Sequence, residues 1–412
     1  MLERWFRQPR ALSALRRGPL APYLDSFADS LSQHGYRPLT LRQKLRSAAA
    51  LSHWLARKHL QIGALNEDQI LAFLQTPRLP TSIRSAARST LARLLQQLRQ
   101  AKVISPPPPP PGPGPLDRIM DDYEWFLDHE RGLAPRSIET YLPAARGFLS
   151  WRFGPGTIKL EQLCPRDVTD FIVQGTARHS RRFVQGKTAI LRSFLGFLLQ
   201  KGRISINLAA VVPRVTGARL SALPRFLEAA EVEKVLKACD RRRKTGKRDY
   251  AILLLLARLG LRASEVVCLT LDDVDWRAGQ LQIRGKGNRL DRLPLPQDVG
   301  QALADYLRKG RPLSSSRRVF VQGTAPHTGF AAHGSIYGVV RAALARAQLH
   351  PPHRGPHLFR HSLATRMLRS GASLTQIGQV LRHQQIETTE IYAKIDLNAL
   401  KSLAQPWPET EL

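Results

Sequence analysis

Apolar residues recur at helical spacing in two long segments of the chain. Leu191, Phe194, Leu195 and Leu198 lie three or four positions apart and would form one apolar stripe along a helix. The segment that ends near residue 104 has the same period. An amphipathic helix must bury its stripe against other helices, so the pattern predicts a small helical bundle in each segment.

The second half of the chain mixes helical and strand patterns. The apolar run 251–257 is much shorter than the ~20 residues that cross a bilayer, so it indicates a buried helix, preceded by a basic loop at 241–248. Two alternating stretches bracket a Gly-Lys-Gly-Asn turn, which predicts a β-hairpin. The predicted elements are helices at 227–236 and 250–261, strands at 281–283 and 292–295, and further helices from 335 to about 403.

A proline-rich stretch separates the two bundles. Residues 106–115 read PPPPPPGPGP, and proline fixes φ and lacks an amide donor, so this stretch should not join a helix or sheet. It predicts an extended spacer of roughly 30 Å; a docking site for a proline-binding module is the alternative. We predict an N-terminal helical domain at 1–104, a linker at 105–116, a second helical domain at 117–215 and a third domain at 220–412.

The two segments that flank the linker resemble each other. Residues Gly35, Pro38 and Trp54 recur 97 positions later as Gly132, Pro135 and Trp151. Further matches, at offsets of 98 to 100, pair Leu65, Phe73, Leu91, Leu95, Leu98, Ile104 and Ser105 with Leu163, Phe171, Leu191, Leu195, Leu198, Ile204 and Ser205. Leucines match by chance in helical sequences, but the glycine, proline and tryptophan matches favour a duplicated domain.

The charge of the chain points to a polyanionic partner. The formal net charge is +31 in 412 residues, and such a field attracts nucleic acid. Arginine-rich codon usage is a less specific explanation. The three cysteines form no CxxC pair, which argues against a disulfide framework and a zinc site. With no signal peptide or spanning segment visible, we expect a soluble, cytoplasmic, nucleoid-associated protein with no membrane partner.

Six polar residues of the last third carry chemistry that suits attack on a phosphodiester. Guanidinium forks match phosphate oxygens and keep their charge, so Arg262 and Arg360 are candidates for neutralising the non-bridging oxygens. Lys286 lies in a glycine-flanked turn from which it could protonate the leaving oxygen. Glu265, one helical turn after Arg262, could orient that arginine. Each alone could equally be an ordinary surface or hairpin residue.

Two histidines and a tyrosine complete the set. His357 and Arg360 are spaced i, i+3, so a helix would put them on one face, while His361 could be structural. His383 and Tyr392 are nine residues apart and suggest two helices joined by a turn. A free phenol has a pKa near 10, so a nucleophilic Tyr392 would need cations or a base, which the arginines and His357 could supply. We expect no cofactor and no metal.

These motifs resemble the catalytic domain of tyrosine recombinases, the phage-integrase and Xer-type enzymes. LGLRASE, RGKGN, HLFRH and LRHQQIETTEIY occur in that family's order across 220–405, with Phe359 where leucine is usual. The resemblance implies tandem helical DNA-binding domains plus a mixed α/β catalytic domain, mainly α with a small β-sheet. It also implies cleavage by Tyr392 to a 3′-phosphotyrosyl bond. Arg262, Lys286, His357, Arg360 and His383 match the family's active-site positions.

The resemblance implies partners as well as chemistry. They are double-stranded DNA recombination sites and a homo-tetramer on paired sites, with companion recombinases as an option. The extra N-terminal domain favours a mobile-element integrase or transposase over a housekeeping role. Candidate DNA contacts in the second bundle are Arg181, Arg182, Lys187 and Arg192, although a solvated helix face explains each equally well. The rival functions are a type IB topoisomerase and a non-catalytic DNA-binding regulator on the same fold.

Overall fold

The computed structural model describes most of the 412-residue chain. The described residues are 2–76, 81–107, 112–176, 179, 181–215, 224–285, 289–330, 334–383, 385 and 388–395, except for a few side chains at helix ends. Contacts divide the chain into one unit formed by 1–107 and 223–412 and a second unit formed by 108–222. Three separate apolar cores, with a small satellite cluster near Tyr392, organise the described residues.

The first core lies within an N-terminal helical bundle. Its helices are α1 (Pro9–Leu15), α2 (Leu24–Gln33), α3 (Pro38–Arg57), α4 (Glu67–Leu74) and α5 (Thr81–Gln100). Pro38 occupies the first turn of α3, where its missing amide donor costs nothing. The leucine stripe of α5 packs on α3, and Trp54 meets Phe73 edge-on with ring centroids 5.9 Å apart. The predicted helical bundle is therefore present in this segment.

The second unit repeats that arrangement. Its helices are α6 (Pro115–Trp125), α7 (Pro135–Phe153), α8 (Pro165–Thr176) and α9 (Arg181–Gln200). Gly132 has a left-handed φ of 57°, as Gly35 has at 77°, and Trp151 meets Phe171 at 5.4 Å as Trp54 meets Phe73. One boundary differs from the sequence prediction. Pro115 begins α6 instead of belonging to the spacer, because proline is tolerated in the first helical turn.

The third core belongs to a mixed α/β region. Its helices are α10 (Ala229–Lys237), α11 (Lys244–Leu259), α12 (Ala263–Cys268), α13 (Gln297–Lys309), α14 (Gly334–Arg346), α15 (His357–Arg369) and α16 (Leu374–Leu381). Helix α11 is buried on all sides from Ala251 to Ala257, as its apolar run predicts. It begins at Lys244, so five of the eight residues of the predicted basic loop, 241–248, are helical. The chain from Glu390 to Ile395 forms a 3₁₀ helix.

A three-stranded antiparallel sheet flanks this core. Its strands are β1 (Val274–Asp275), β2 (Gln280–Arg284) and β3 (Leu290–Pro294), in the order β1-β2-β3. Ile283 faces Asp291 across the predicted hairpin, and Gly285 N donates to Arg289 O at 2.8 Å at its base. The sequence did not indicate β1, since two residues are too short to show an alternating pattern. The predicted fold class, mainly α with a small β-sheet, is confirmed.

Candidate active site

Helix ends gather the candidate site residues. Helix α11 ends at Leu259, and the next residue, Gly260, caps it with a left-handed φ of 58°. A Cβ there would lie 2.7 Å from Leu381 Cδ2. Glycine is therefore needed at this position because it adopts the left-handed φ without strain and because no side chain would fit against Leu381. The chain then turns into α12, where Glu265 accepts a hydrogen bond from Arg262 N at 2.8 Å. This capping contact fixes the carboxylate of Glu265 beside the guanidinium of Arg262.

The two predicted arginines converge on one short segment. Arg360 Nη1 donates to Gly260 O at 2.6 Å and its Nη2 donates to Leu381 O. Arg262 Nη2 donates to the next carbonyl, Arg382 O, at 3.4 Å. Since successive carbonyls receive the two guanidinium groups, those groups are neighbours. The structure therefore brings Arg262 and Arg360 together from positions about a hundred residues apart.

A third arginine joins them, which the sequence did not reveal. Arg382 has a left-handed φ of 56°, uncommon for a residue with a side chain. That backbone conformation ends α16 and lets Arg382 Nη2 pair with Glu265 Oε2 at 3.0 Å, in a contact where the Glu265 side chain is only 2% exposed. Glu265 also pairs with Arg262 at 2.8 Å. The guanidinium groups of Arg262 and Arg382 thus share one buried carboxylate, and Arg360 lies beside them without contacting it.

The charge balance of this cluster is positive and largely buried. Burial is the main reason that the pKa of Arg360 falls to about 9, and repulsion from Arg262 and Arg382 adds to it. Burial opposes ionisation of Glu265, but Arg382 and Arg262 outweigh it and the net effect lowers the pKa of that carboxyl. One carboxylate cannot neutralise three cations. The site is therefore arranged to accept an anion.

Tyr392 lies next to this cluster and is hydrogen-bonded to a histidine. Its side chain is buried, and its Oη lies 2.9 Å from His361 Nδ1. Burial raises the pKa of the Tyr392 phenol to about 12, although Arg360 pulls it downward. Arg360 thus acts on the phenol in the direction that the sequence analysis named, but desolvation outweighs its effect and the phenol stays protonated at neutral pH. His361, treated as structural from sequence, is its hydrogen-bond partner.

The imidazoles of His361 and His383 are neutral at physiological pH. Burial, followed by the charges of His357 and Arg360, lowers the pKa of His361 to about 4. Burial, followed by Arg360 and Arg262, lowers the pKa of His383 to about 4. His383 Nδ1 lies 2.7 Å from Thr389 Oγ1. His357 and Arg360 both lie on α15, the helix that their spacing suggested, but His357 is exposed, with its ring 6.3 Å from that of His361.

A cleft of about 450 Å³ opens beside the cluster. Arg262, Arg382 and His383 line it, together with Gly285 and Arg289 from the hairpin. Lys286 lies outside the described residues, although both described ends of its loop line this cleft. Arg360 and Tyr392 do not line it. The solvent-facing half of the site is thus a basic cleft, and the nucleophile candidate is set behind it.

The four predicted DNA contacts of the second bundle lie in different surroundings. Arg181 is exposed, and Lys187 Nζ sits 5.2 Å from the ring of the exposed Phe183. The Arg182 side chain lies outside the described residues. Arg192 Nη2 donates to Val212 O at 3.0 Å and Pro213 O at 3.2 Å. Its guanidinium therefore ties α9 to the following loop, which speaks against Arg192 as a phosphate contact.

Comparison with known proteins supplies the family. The phage integrase family profile matches residues 225–398. A Sinorhizobium fredii protein named a putative integrase/recombinase is 43% identical over 402 residues, covering 97% of both chains. The chain belongs to the phage integrase family. A tyrosine recombinase XerD from Listeria monocytogenes is 30% identical over 293 residues, covering 70% of this chain and 97% of that one.

A solved structure agrees in fold. The recombinase XerH, in a post-cleavage complex with a palindromic difH substrate, superposes with a TM-score of 0.53 at 17% identity, covering 90% of this chain and 97% of that one. The predicted family and enzyme class, a tyrosine-type site-specific recombinase, are confirmed, and the topoisomerase and regulator alternatives are not favoured. Within the described residues, no helix combines the length and apolarity that a membrane span requires.

Proposed function

We propose that this protein cleaves and rejoins DNA strands at specific sites through a covalent bond between Tyr392 and a 3′ phosphate. The observation that carries the proposal is the convergence of Arg262 and Arg360 on the successive carbonyls of 381 and 382, with His383 next in the chain. A phosphodiester carries one negative charge, which would offset part of the excess positive charge. Binding the scissile phosphate would thus relieve repulsion already present in the protein.

Each candidate has a defined part in this reaction. Arg262, Arg360 and His383 stabilise the negative oxygens of the phosphorus centre, while Glu265 holds Arg262 in place. Tyr392 Oη forms a bond to phosphorus and the bond to the 5′ oxygen breaks. Lys286 gives a proton to that leaving oxygen, and His357 assists from the start of α15. Reversal of these steps, with a partner strand's 5′ hydroxyl as nucleophile, rejoins the DNA.

His361 is our addition to the set, as acceptor of the phenol proton. A neutral imidazole has one free ring nitrogen to accept a proton, and Nδ1 lies 2.9 Å from Tyr392 Oη. With its pKa lowered to about 4, His361 by itself is a weak base. A phosphate beside Arg360 would raise the basicity of His361, because it offsets the cation that disfavours the imidazolium. DNA binding would then activate the nucleophile.

A nicked duplex tests the covalent step. The probe is DNA flanking the encoding gene, nicked next to the candidate cleavage position so that a short strand diffuses away and the adduct is trapped. The wild-type chain should give a protein–DNA band that resists denaturant, and Tyr392→Phe should give none. Tyr337→Phe, at a tyrosine outside the cluster, is the matched control and should keep the band. An adduct with Tyr392→Phe would refute the assignment of the nucleophile.

We further propose that the chain works as a homo-tetramer on paired DNA sites for a mobile element, with companion recombinases as an option. The C-terminal tail, 397–408, carries the apolar residues Leu397, Leu400 and Leu403, which lie outside the described residues. Their i, i+3, i+6 spacing would suit a helix that docks on a neighbouring protomer. Deleting 397–412 should reduce the assembly on DNA from four protomers to fewer, as measured by light scattering. An unchanged mass would count against the tail.

The domain organisation is part of the same proposal. We propose that 1–104 and 117–215 descend from one duplicated helical module, which the glycine conformations and the paired Trp–Phe contacts support. In this scheme 117–215 is the core-binding domain, with Arg181, Arg182 and Lys187 on its DNA-facing side, and 220–412 is the catalytic domain. Removing the charge of Arg181 and Lys187 should weaken DNA binding at low salt more than removing that of Arg118 and Arg131.

A further inference from the structure

The two helical bundles differ in how their basic residues are neutralised. Residues 1–104 contain 17 basic and 5 acidic residues, whereas 117–215 contain 15 and 10. In the second bundle, ion pairs between described residues engage Arg136, Arg146, Arg152, Arg166, Lys201 and Arg203. In the first, they engage Arg16 and Arg99. Most basic residues of the first bundle whose side chains the structure describes therefore form no ion pair with a carboxylate.

Part of that charge is concentrated around Tyr36, at one end of the first bundle. Lys44 Nζ lies 4.8 Å from the Tyr36 ring centroid and Arg93 Cζ lies 5.6 Å from it. Lys44 is buried and donates to Thr90 Oγ1 at 3.0 Å. Burial, with a contribution from Arg93, lowers the pKa of Lys44. Among the described residues no carboxylate pairs with either cation, so they repel one another.

The matching positions of the second bundle carry no such cluster. By the offsets of the repeat, Leu133, Tyr141 and Ser193 stand where the first bundle has Tyr36, Lys44 and Arg93. These are uncharged residues, and Ser193 Oγ instead accepts a hydrogen bond from Tyr123 Oη at 3.2 Å. The cations are therefore not needed to build this type of bundle.

The same end of the bundle borders a large cleft. Tyr36, Arg37 and Thr40 form one wall of a space of about 1300 Å³ within the unit that joins 1–107 to 223–412. The other walls include Arg242, Arg243, Lys244 and Arg248 at the start of α11, and His327. Among the described residues of the lining, Asp249 is the one carboxylate, and it pairs with Arg248 at 2.8 Å. Arg243 pairs with Asp240 at 3.2 Å.

Three cations of this lining lack a carboxylate neighbour in the part of the chain that the structure describes. Arg37, Arg242 and Lys244 form no ion pair with a carboxylate among the described residues. The first turn of α11 also directs its unsatisfied backbone amides towards this end of the helix, which favours an anion. The 16-residue length of α11 separates this cleft from Gly260 by about 24 Å, at ~1.5 Å per residue. The cleft is thus distinct from the catalytic cleft.

We propose that this cleft is a second binding site for the phosphate backbone of duplex DNA, held by Arg37, Arg242 and Lys244. Its basic walls provide the phosphate contacts, and Tyr36 supplies a flat surface flanked by cations. Side chains of this kind fix the position of DNA without reading its sequence. The bound DNA is either the flank of the duplex that enters the catalytic cleft or a separate duplex. Both sources offer the same phosphodiester chemistry.

The salt dependence of binding tests this site without requiring strand cleavage. We would measure the binding constant of the full chain carrying Tyr392→Phe for random-sequence duplexes of 20 and 60 base pairs at a series of sodium chloride concentrations. The cleft variant adds Arg37→Ala, Arg242→Ala and Lys244→Ala. The matched control adds Arg57→Ala, Lys58→Ala and Arg308→Ala, which remove three exposed cations outside the cleft. Thermal unfolding of both variants checks that each remains folded.

The expected result follows from counterion release. The slope of log K against log salt is negative, and each lost phosphate contact makes it less steep by about 0.9. The slope of the cleft variant should therefore be less steep than that of the control by roughly 2 to 3. If the slope changes only for the 60-base-pair probe, the DNA bound in this cleft is the flank of the duplex that enters the catalytic cleft. Capture of a second labelled 20-base-pair duplex by an already saturated protein, absent in the cleft variant, identifies a separate one. Equal slopes for the cleft and control variants on both probes would overturn the proposal.

Discussion

The shared carboxylate of Glu265 makes a quantitative prediction about stability. Glu265→Gln keeps the size of the side chain but removes the charge that neutralises Arg262 and Arg382, at 2.8 Å and 3.0 Å. Breaking a buried ion pair by removing one partner costs about 3–5 kcal/mol, since the other charge stays buried. For a domain of this size each kcal/mol lowers Tm by about 2–4 °C, so we expect a decrease of roughly 6 to 20 °C.

The control for this experiment is Glu233→Gln. Glu233 also pairs with an arginine, Arg258, at 2.9 Å, but its side chain is 45% exposed. An exposed pair contributes about 0–1 kcal/mol, so its loss should hardly change Tm. Differential scanning calorimetry at pH 7 and low salt measures both variants against the wild-type chain. A Glu265→Gln loss no larger than that of Glu233→Gln would refute the idea that this carboxylate compensates a buried cationic cluster.

Three further predictions concern the same site. Arg360→Lys should abolish the covalent DNA adduct and lower Tm, because one ammonium group cannot reach both Gly260 O and Leu381 O as the forked guanidinium does. An adduct at the wild-type level would contradict this prediction. Gly260→Ala should be more destabilising than Gly371→Ala in urea unfolding: both glycines have positive φ, but only at Gly260 would the added Cβ lie 2.7 Å from a neighbour. His361 and His383 have pKa values of about 4 in the folded chain, against 6.5 for a histidine in the unfolded chain. Between pH 4 and pH 6.5 the unfolded chain therefore binds more protons than the folded chain, so stability should fall as the pH drops from 6.5 to 4. The double variant His361→Phe, His383→Phe should flatten that decline in Tm, whereas the exposed-site variant His350→Phe should leave it unchanged.

The sequence predicted the elements of the catalytic region well because its signals there are local. The apolar run in α11 and the glycine-rich turn between β2 and β3 each specify structure within a few residues. Helix starts were harder, as at Lys244 and Pro115. Capping and first-turn preferences tolerate basic residues and proline, so composition alone places such boundaries poorly.

The site was predicted less completely than the fold. Arg382 became part of it only because a left-handed backbone turns its side chain towards Glu265, and no local pattern announces that conformation for an arginine. His361 directly follows Arg360, so its neighbourhood was visible, but its contact with Tyr392 depends on how the 3₁₀ helix at Glu390–Ile395 packs on α15. The raised pKa of Tyr392 likewise follows from burial, which depends on the packed structure.

Trapping of the covalent intermediate tests the central claim most directly. The nicked-duplex assay is run with the wild-type chain, Tyr392→Phe, Arg262→Ala and Arg360→Ala, with mass spectrometry of the adduct to locate the modified residue. We predict a 3′-phosphotyrosyl peptide containing Tyr392 for the wild-type chain, no adduct for Tyr392→Phe, and at least a hundred-fold slower formation, roughly 2.7 kcal/mol, without either arginine. An adduct on a different residue, or one that forms at the wild-type rate without both arginines, would contradict the account.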